Sequence, residues 1–235
     1  MFNTGLGLLF IVVNFCLVLI AYWRFGRVGL FVWIAFATVV ANIQVMKSIE
    51  IFGLAATLGN TLYGSVFLAT DILSERYGKK AAKRSVYLGF FSAISLVITM
   101  QLALQFIPLT PGDPMHEALV TLFQPVWRIV VGSLVAYIIS QLLDITLFAL
   151  IKSKFPSQRF LWLRNNGATW IAQLLDTAIF VSIAFWGVFE LPVLIEIYLT
   201  TYLLKVIVAA LDTPFVYLAM KIRPHETETT VEKSL

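Results

Sequence analysis

Long apolar segments alternate with short polar stretches along the whole chain. Seven of them are long enough to be membrane-spanning helices, because a helix needs roughly 20 residues to cross a bilayer core of about 30 Å. They cover about residues 5–23, 28–46, 51–73, 85–107, 126–150, 168–190 and 194–220. The third has the weakest pattern, since Gly53, Gly59, Asn60 and Gly64 interrupt it. A broken helix is compatible with that pattern where protein or water surrounds it.

The charged residues lie mainly in the connections and divide by sign. Basic residues concentrate after the first, third, fifth and seventh segments, whereas the connections between them are mostly acidic. Basic connections stay in the cytoplasm, so the N-terminus is expected outside and the C-terminus inside. The first segment has no basic residue before it and Arg24 follows it, which favours a retained helix over a signal peptide.

Composition agrees with this topology. Of 235 residues, 60% are hydrophobic and 13% are charged, whereas a soluble domain carries about 25% charged residues. No stretch outside the helices is long enough for a soluble domain. The predicted fold class is an all-α integral membrane protein, a polytopic helical bundle in the lipid bilayer. The net charge of +4 is accounted for by the connections and implies no nucleic-acid partner.

Four ionisable residues interrupt the apolar segments: Asp71, Asp144, Asp176 and Lys205. Each costs several kcal/mol at bilayer depth, so such residues usually face a bundle interior and mark a polar pathway. Lys205 lies too far from either end of its segment to reach the membrane surface. We therefore expect it to pair with one of the aspartates.

The sequence Gln-Leu-Leu-Asp occurs at 141–144 and again at 173–176. The predicted topology runs the two copies in opposite directions, and antiparallel repeats are a common device of transporters. Each aspartate lies roughly two to three turns from the shared basic loop, so the two carboxylates are expected at similar depth. Chance is one alternative in a leucine-rich chain, and structural hydrogen bonding between helices is another.

The residues and motifs that most enzyme mechanisms require are absent from the sequence. Both histidines, His116 and His225, lie in connections, which excludes a helical zinc motif and a serine–histidine dyad. No Gly-rich phosphate loop is present, so the chain cannot hydrolyse ATP itself. The one enzymatic alternative is an intramembrane aspartyl pair formed by Asp144 and Asp176.

The remaining parts suit a small, flat, polar solute. A carboxylate accepts two parallel hydrogen bonds from an edge such as guanine's N1–H and 2-amino group, and Gln141 or Gln173 can address the adjacent carbonyl. Aromatic side chains near the polar face can cover the ring of such a solute, although packing and interfacial roles are common for them. These aromatic residues are Tyr63, Tyr137, Trp170, Phe180, Trp186 and Tyr202.

The residues also carry a family resemblance. The segment from Phe67 to Ala82, with its Thr-Asp-x-x-x-Glu-x-Tyr-Gly block at 70–78, resembles the signature of the queuosine precursor transporters, also called the vitamin uptake transporter family. The resemblance covers about residues 28–222. Further matches include Arg128, Tyr137, Gln141, Asp144, Asp176, Phe180, Lys205 and Pro214.

The resemblance implies a six-helix transporter core at residues 28–222. Residues 1–27 would form an additional N-terminal transmembrane helix and residues 223–235 a disordered cytoplasmic tail. It also implies uptake of a 7-deazaguanine base (preQ0, preQ1 or queuine) for tRNA queuosine salvage. Family members often have proline just before the Asp71 block, where this chain has Gly64, so glycine would make the break here.

Together these lines predict a secondary transporter of a small planar purine-like base in the cytoplasmic membrane, without cofactor or metal. Asp144 and Asp176, each with its glutamine, would hold the base, Lys205 would balance their charge, and the aromatic residues would sandwich the ring. Asp71, Glu75 and Arg128 are assigned to a gate or latch. If transport is proton-linked, a buried aspartate is the candidate carrier.

Three alternatives stay open at this point. A substrate-binding subunit of a multi-component importer with a separate ATPase would have a similar size. An intramembrane aspartyl enzyme would use the same carboxylates, and an assembly scaffold would use none of them for solute movement. The protein can act alone or as a homodimer.

Overall fold

The apolar segments form helices that pack around a buried central helix. The structure, a computed structural model, describes residues 2–51, 54–124 and 127–225, without the side chains of 54–56 and 127–128. The predicted disordered tail therefore falls outside the described residues beyond His225. The elements in chain order are α1 (Phe2–Gln44), β1 (Ser48–Ile51), β2 (Leu54–Thr57), α2 (Leu58–Arg76), α3 (Gly78–Ala103), α4 (Pro114–Phe123), α5 (Trp127–Lys154), a 3-10 turn (Gln158–Phe160), α6 (Leu161–Phe185) and α7 (Leu191–Lys221).

A sharp reversal at Gly26 divides α1 into two halves. Gly26 has φ 56° and ψ −135°, a left-handed backbone conformation that glycine adopts without a steric cost. The chain folds back so closely that a Cβ at Gly29 would collide with the carbonyl oxygen of Ala21. At the far end, Gly7 lies against Ile51, which follows the second half. The two halves are therefore antiparallel and correspond to the first two predicted segments.

The third predicted segment, 51–73, was wrong at its beginning. Residues 48–51 and 54–57 form two antiparallel strands in which Ser48 pairs with Thr57 and Ile51 with Leu54. Ile51 is fully buried and packs with Leu204 of α7. Strand pairing satisfies the backbone polar groups that a helix would otherwise satisfy within itself, so the helix begins only at Leu58. At 19 residues and 1.5 Å per residue, α2 is about 28 Å long.

The central position belongs to α2, which lies against α1, α3, α5 and α7. Its residues from Gly64 to Ser74 are all buried, including the polar ones that weaken its hydropathy. Around it, the main hydrophobic core joins Phe15 of α1, Phe148 of α5 and Val216 of α7. Polar residues are tolerated in α2 because other helices, rather than lipid, surround it.

Within the described residues, five helices are long and apolar enough to cross a membrane, namely α1, α3, α5, α6 and α7. This confirms an all-α, polytopic membrane protein. The connection between α3 and α5 contains a short helix that the proline-rich sequence concealed. This helix, α4, is exposed and begins where the Asp113 carboxylate accepts a hydrogen bond from the Met115 N–H at 3.0 Å.

The two ends of the bundle are named after the predicted topology. The inner end, which is the end expected in the cytoplasm, carries the Gly26 reversal, the end of α2 and the connection between α5 and α6. The outer end carries β1 and β2. The backbone N–H of His225 donates to the carbonyl of Trp23 at 2.9 Å, which places the end of α7 at the inner end too.

Candidate functional site

A cavity lies between α1, α2, α5, α6 and α7, and it extends from mid-bundle toward the outer end. Its empty space is about 680 Å³, counted with the part open to solvent. Its lining includes five of the predicted site residues: Tyr137, Gln173, Asp176, Phe180 and Lys205.

An ion pair lies at the deep side of this cavity. Lys205 Nζ of α7 contacts Asp176 Oδ2 of α6, as expected for a lysine in mid-helix. The second carboxylate oxygen, Oδ1, accepts a hydrogen bond from Ser140 Oγ of α5 at 2.8 Å. The side chain of Asp176 is 15% exposed and that of Lys205 9%, so the pair is accessible to a solute and carries no net charge.

A polar group without a protein partner lies one turn away. Gln173 precedes Asp176 by three residues on α6, which places both on the same side of the helix. Gln173 lines the cavity, and within the described residues its Oε1 has no hydrogen-bond partner. Buried polar atoms are normally paired. An unpaired Oε1 in the lining of a cavity is therefore an acceptor that a ligand can use.

Aromatic rings form the wall toward the outer end. The rings of Tyr63 and Tyr137 lie 6.2 Å apart at an angle of 43°, and Phe67 and Phe180 also line the cavity. The hydroxyl of Tyr63 accepts a hydrogen bond from Asn42 Nδ2 at 2.9 Å. Tyr63 was among the aromatic residues expected near the ligand, whereas Phe67 and Asn42 were not predicted. The signal for these two was the aromatic and polar interruption of the third and second apolar segments.

The first Gln-Leu-Leu-Asp copy does not line the cavity. Asp144 and Gln141 are both fully buried, and Asp144 Oδ1 accepts a hydrogen bond from Thr169 Oγ1 at 3.0 Å. Thr169 lies seven residues before Asp176 on α6, or about 10 Å along the helix axis. The two carboxylates are therefore at different depths, contrary to expectation. The reason is that α6 begins at Leu161, about two turns earlier than predicted.

Two of the predicted aromatic residues point away from the cavity. The Tyr202 hydroxyl donates to the carbonyl oxygen of Trp170 at 3.3 Å, and Trp170 is 39% exposed on the outside of the bundle. Each lies three residues from a cavity residue, Gln173 or Lys205. Their predicted place around the ligand is therefore corrected.

A network of ion pairs closes the inner end of the bundle. Glu75, at the end of α2, pairs with Arg164 Nη2 of α6 at 2.7 Å and with Lys152 Nζ of α5 at 3.1 Å. Arg164 is fully buried, and its Nη1 donates to the carbonyls of Phe155 and Ser157, both at 2.9 Å. The network ties three helices together, which is the arrangement that a latch requires. Arg164 had been assigned only to a basic connection.

The other predicted latch residues differ from Glu75. Asp71 lies one turn deeper on α2, is fully buried, and has no hydrogen-bond partner for either carboxylate oxygen within the described residues. Arg76 donates from Nη2 to carbonyls at the end of α7, including that of Ile222 at 3.2 Å. The side chain of Arg128 falls outside the described residues, so its predicted role stays a prediction.

Comparison with known proteins gives a consistent result. The family model described as "Putative vitamin uptake transporter" matches residues 57–219. The "Probable queuosine precursor transporter" of Bacillus subtilis (strain 168) is 45% identical over 98% of this chain and the whole length of that protein. The "Queuosine precursor transporter" of Escherichia coli (strain K12) is 29% identical over 72% of this chain and 74% of that protein. No solved structure matches.

These relatives bear on two of the sequence predictions. Both are named as transporters, which agrees with the expectation that the chain is not an enzyme. The alignment with the Bacillus protein spans 230 residues, so nearly all of the first half of α1 has a counterpart there.

Proposed function

The chain belongs to the vitamin uptake transporter family, whose curated relatives are named queuosine precursor transporters, and on that premise we propose that it imports a 7-deazaguanine precursor of queuosine. The candidates are preQ0, preQ1 and queuine. Transport is secondary and runs across the cytoplasmic membrane, with the basic inner end of the bundle in the cytoplasm.

The observation that carries this proposal is the polar constellation in the cavity. Asp176 offers a carboxylate held by Lys205 and Ser140, and beside it Gln173 lines the cavity with an amide whose Oε1 is unpaired within the described residues. The N1–H and 2-amino groups of a deazaguanine would donate to Asp176, and its carbonyl oxygen would accept from Gln173 Nε2. This is the pairing expected from the sequence, now assigned to one Gln-Leu-Leu-Asp copy instead of two.

Lys205 and the aromatic wall complete the site. Lys205 pairs with Asp176, so the site carries no net buried charge, which would be expensive. Tyr63, Tyr137 and Phe180 would lie against the faces and edge of the flat ring, where aromatic contact adds about 0.5–1.5 kcal/mol beyond area burial. Such a site selects a guanine-like hydrogen-bonding edge and rejects adenine, which presents the opposite donors and acceptors.

Access from the two sides differs in the structure. The cavity reaches the outer end, whereas the ion pairs of Glu75 with Arg164 and Lys152 close the inner end. We assign this arrangement to the state that receives the base from outside. Release into the cytoplasm then requires the Glu75 network to open.

Ligand binding by detergent-purified protein tests the proposal. Calorimetric titration with preQ0, preQ1, queuine, guanine and adenine is carried out on the wild type, on Asp176→Asn, and on Asp113→Asn as a control in an exposed cap. We expect micromolar binding of at least one deazaguanine, no binding of adenine, and loss of binding only in Asp176→Asn. Absence of binding to every base by folded protein would refute the proposed substrate class.

Reconstitution separates secondary transport from the main alternative. If the purified protein alone moves the base into liposomes, it is not merely the binding subunit of an ATPase-driven importer. If it binds the base but moves none, the secondary mechanism is wrong and the binding-subunit reading replaces it.

A further inference from the structure

Three buried carboxylates lie below the cavity, on the side of the Glu75 network. They are Asp71 of α2, Asp144 of α5 and Asp212 of α7, each from a different helix and each fully buried. Asp144 and Asp212 are held by Thr169 and Asn165, which lie one turn apart on the same side of α6, and Asp71 lies one turn from Glu75, which pairs with Arg164 beside Asn165. We call these three residues the carboxylate cluster.

The cluster has only neutral hydrogen-bond partners, and too few of them. Asp144 accepts from the Thr169 hydroxyl at 3.0 Å, and Asp212 Oδ1 accepts from Asn165 Nδ2 at 2.7 Å. Within the described residues, the other oxygens of Asp144 and Asp212 and both oxygens of Asp71 are unpaired. A buried, ionised carboxylate would need more donors than this.

No cation of the protein balances the cluster. Among the described residues, every ion pair lies elsewhere: Lys205 pairs with Asp176, while Arg164 and Lys152 pair with Glu75. The other charged residues at the inner end of the elements packed around the cluster are basic. They are Arg24 and Arg27 of α1, which are exposed, Arg76 of α2, Lys79, Lys80, Lys83 and Arg84 in the first two turns of α3, Lys154 of α5, Arg159 in the 3-10 turn before α6, and Lys221 of α7. Three ionised carboxylates without a counter-charge would cost several kcal/mol each.

Neighbouring polar side chains point to a small bound cation. Gln141 lies one turn before Asp144 on the same side of α5, is fully buried, and has neither its amide nitrogen nor its amide oxygen paired within the described residues. Ser74, three residues after Asp71 on α2, has an unpaired buried hydroxyl. Of these atoms, Gln141 Oε1 and Ser74 Oγ supply the acceptors that a protonated carboxyl group needs for its O–H.

We propose that the carboxylate cluster binds the protons that drive uptake, at a site separate from the base-binding cavity. The proton is favoured over a metal cation because, within the described part of the chain, no three acidic, histidine or cysteine side chains converge closely enough to hold a metal ion. A proton reaches a carboxylate oxygen from the outside, neutralises it, and leaves to the cytoplasm. The inference rests on the proposed function for what the protons drive.

The position of the cluster explains how it would be coupled to both ends. Thr169 lines the base cavity and donates to Asp144, so it connects the cluster to the base. Asn165 donates to Asp212 and is the direct neighbour of Arg164, which holds Glu75. A change in the charge of the cluster can therefore act on both the cavity and the ion pairs of Glu75. Coupling requires such an interaction, one that differs in free energy between two states of the protein.

Transport assays in proteoliposomes test this assignment. Asp71→Asn and Asp212→Asn replace a carboxyl group by an amide of nearly the same shape. We expect both variants to bind the base within about threefold of the wild type, a difference below ~0.7 kcal/mol, and to exchange labelled base across the membrane. They should lose accumulation driven by an acid-outside pH gradient, which the wild type should show.

Several results would overturn it. Variants that still concentrate the base under a pH gradient would remove the cluster from coupling. Accumulation by the wild type under a sodium gradient alone would make the site a sodium site. Equilibration without accumulation under either gradient would mean facilitated diffusion.

Infrared spectroscopy tests proton binding without any substrate. We expect the purified wild type at neutral pH to show a carbonyl band of a protonated carboxyl group that weakens in Asp71→Asn and Asp212→Asn. The band should be unchanged in Asp176→Asn, because that carboxylate is ion-paired. Absence of the band refutes the cluster as a proton site, whereas a failure of all base binding with the band present refutes only the proposed function.

Discussion

The chain carries Gln-Leu-Leu-Asp at 141–144 in α5 and at 173–176 in α6, and the same four residues lie in opposite surroundings. The first copy is sealed inside the bundle, where Asp144 accepts a hydrogen bond from Thr169 and, among the described residues, pairs with no cation. The second copy lines a cavity, where Asp176 pairs with Lys205. Identical local sequence thus serves two chemistries, and the neighbouring helix decides which.

That neighbouring helix is α7. Lys205 and Asp212 are seven residues apart on it, which is close to two full turns and keeps them on roughly the same side. It presents a cation to the second copy and a carboxylate to the first. Changes that exchange or remove these neighbours are therefore the most direct ways to test the difference between the copies.

The largest effect is expected from Lys205→Met. The variant removes the cation from the largely buried carboxylate of Asp176 and leaves it only the hydrogen bond from Ser140. Removing one partner of a buried pair typically costs about 3–5 kcal/mol, and base binding should be lost as well. Chemical unfolding in detergent measures the first effect and calorimetry the second. The double variant Lys205→Met/Asp176→Asn should recover most of the stability but none of the binding. Equal stability of the single variant and the wild type would contradict the importance of the pair.

Thr169→Val should uncouple the copies. It removes the hydroxyl that joins Asp144 to the cavity and leaves a further buried oxygen unpaired, at a cost of about 1–3 kcal/mol. The proposed coupling makes the affinity for the base depend on pH. In Thr169→Val base binding should persist, but its affinity should no longer change with pH, as measured by calorimetry across pH. Thr177→Val is the matched control, because Thr177 is buried on the same helix but donates to its own backbone, to the Gln173 carbonyl at 2.8 Å. An unchanged pH dependence in Thr169→Val would disconnect the two sites.

Glu75→Gln should expose the first copy to the inner side. The amide keeps the shape of the side chain but weakens its pairing with Arg164 and Lys152. In a Cys16→Ser background, which removes the only cysteine, Ser74→Cys reports access. We expect Glu75→Gln to raise labelling by a membrane-impermeant thiol reagent from the cytoplasmic side roughly tenfold, or ~1.4 kcal/mol. Equal labelling rates would exclude a latch role for Glu75.

The smallest effect compares two serines on one face of α5. Ser140 donates to Asp176 at 2.8 Å, whereas Ser133 makes a long contact of 3.4 Å with Asn42 Oδ1. Ser140→Ala should weaken base binding by about 1 kcal/mol, roughly fivefold. Ser133→Ala should remain within about twofold of the wild type. Similar losses in both would mean that the serines only support packing.

Helix positions were largely predictable because hydrophobic length identifies membrane segments directly. The pairing of Lys205 also followed from the cost of a charge in mid-helix. The depth of the two aspartates did not, because Arg164, Asn165 and Asn166 read as a polar connection. They are helical and buried because their partners, Glu75, Asp212 and Thr213, come from other helices. Such tertiary partners leave no trace in local sequence.

The two strands and the two outward aromatic residues show the same limit on smaller scales. The residues at 48–51 and 54–57 are apolar enough to be compatible with a helix. Only their pairing and the burial of Ile51 against Leu204 show that they are strands. Trp170 and Tyr202 were placed by helical spacing alone. Spacing identifies a side of a helix only to within about a quarter turn, and the true facing depends on how each helix rotates against its neighbours.

The reversal at Gly26 also bears on how the chain is delivered into the bilayer during synthesis. With one residue between the two halves of α1, no linker separates these two segments as they leave the ribosome. We expect the translocon to release them laterally as a single preassembled unit, whose tip keeps Arg24 and Arg27 on the ribosome side. The helix α2, whose polar residues weaken its hydropathy, then emerges next to the packed halves of α1. It therefore does not have to partition into lipid alone.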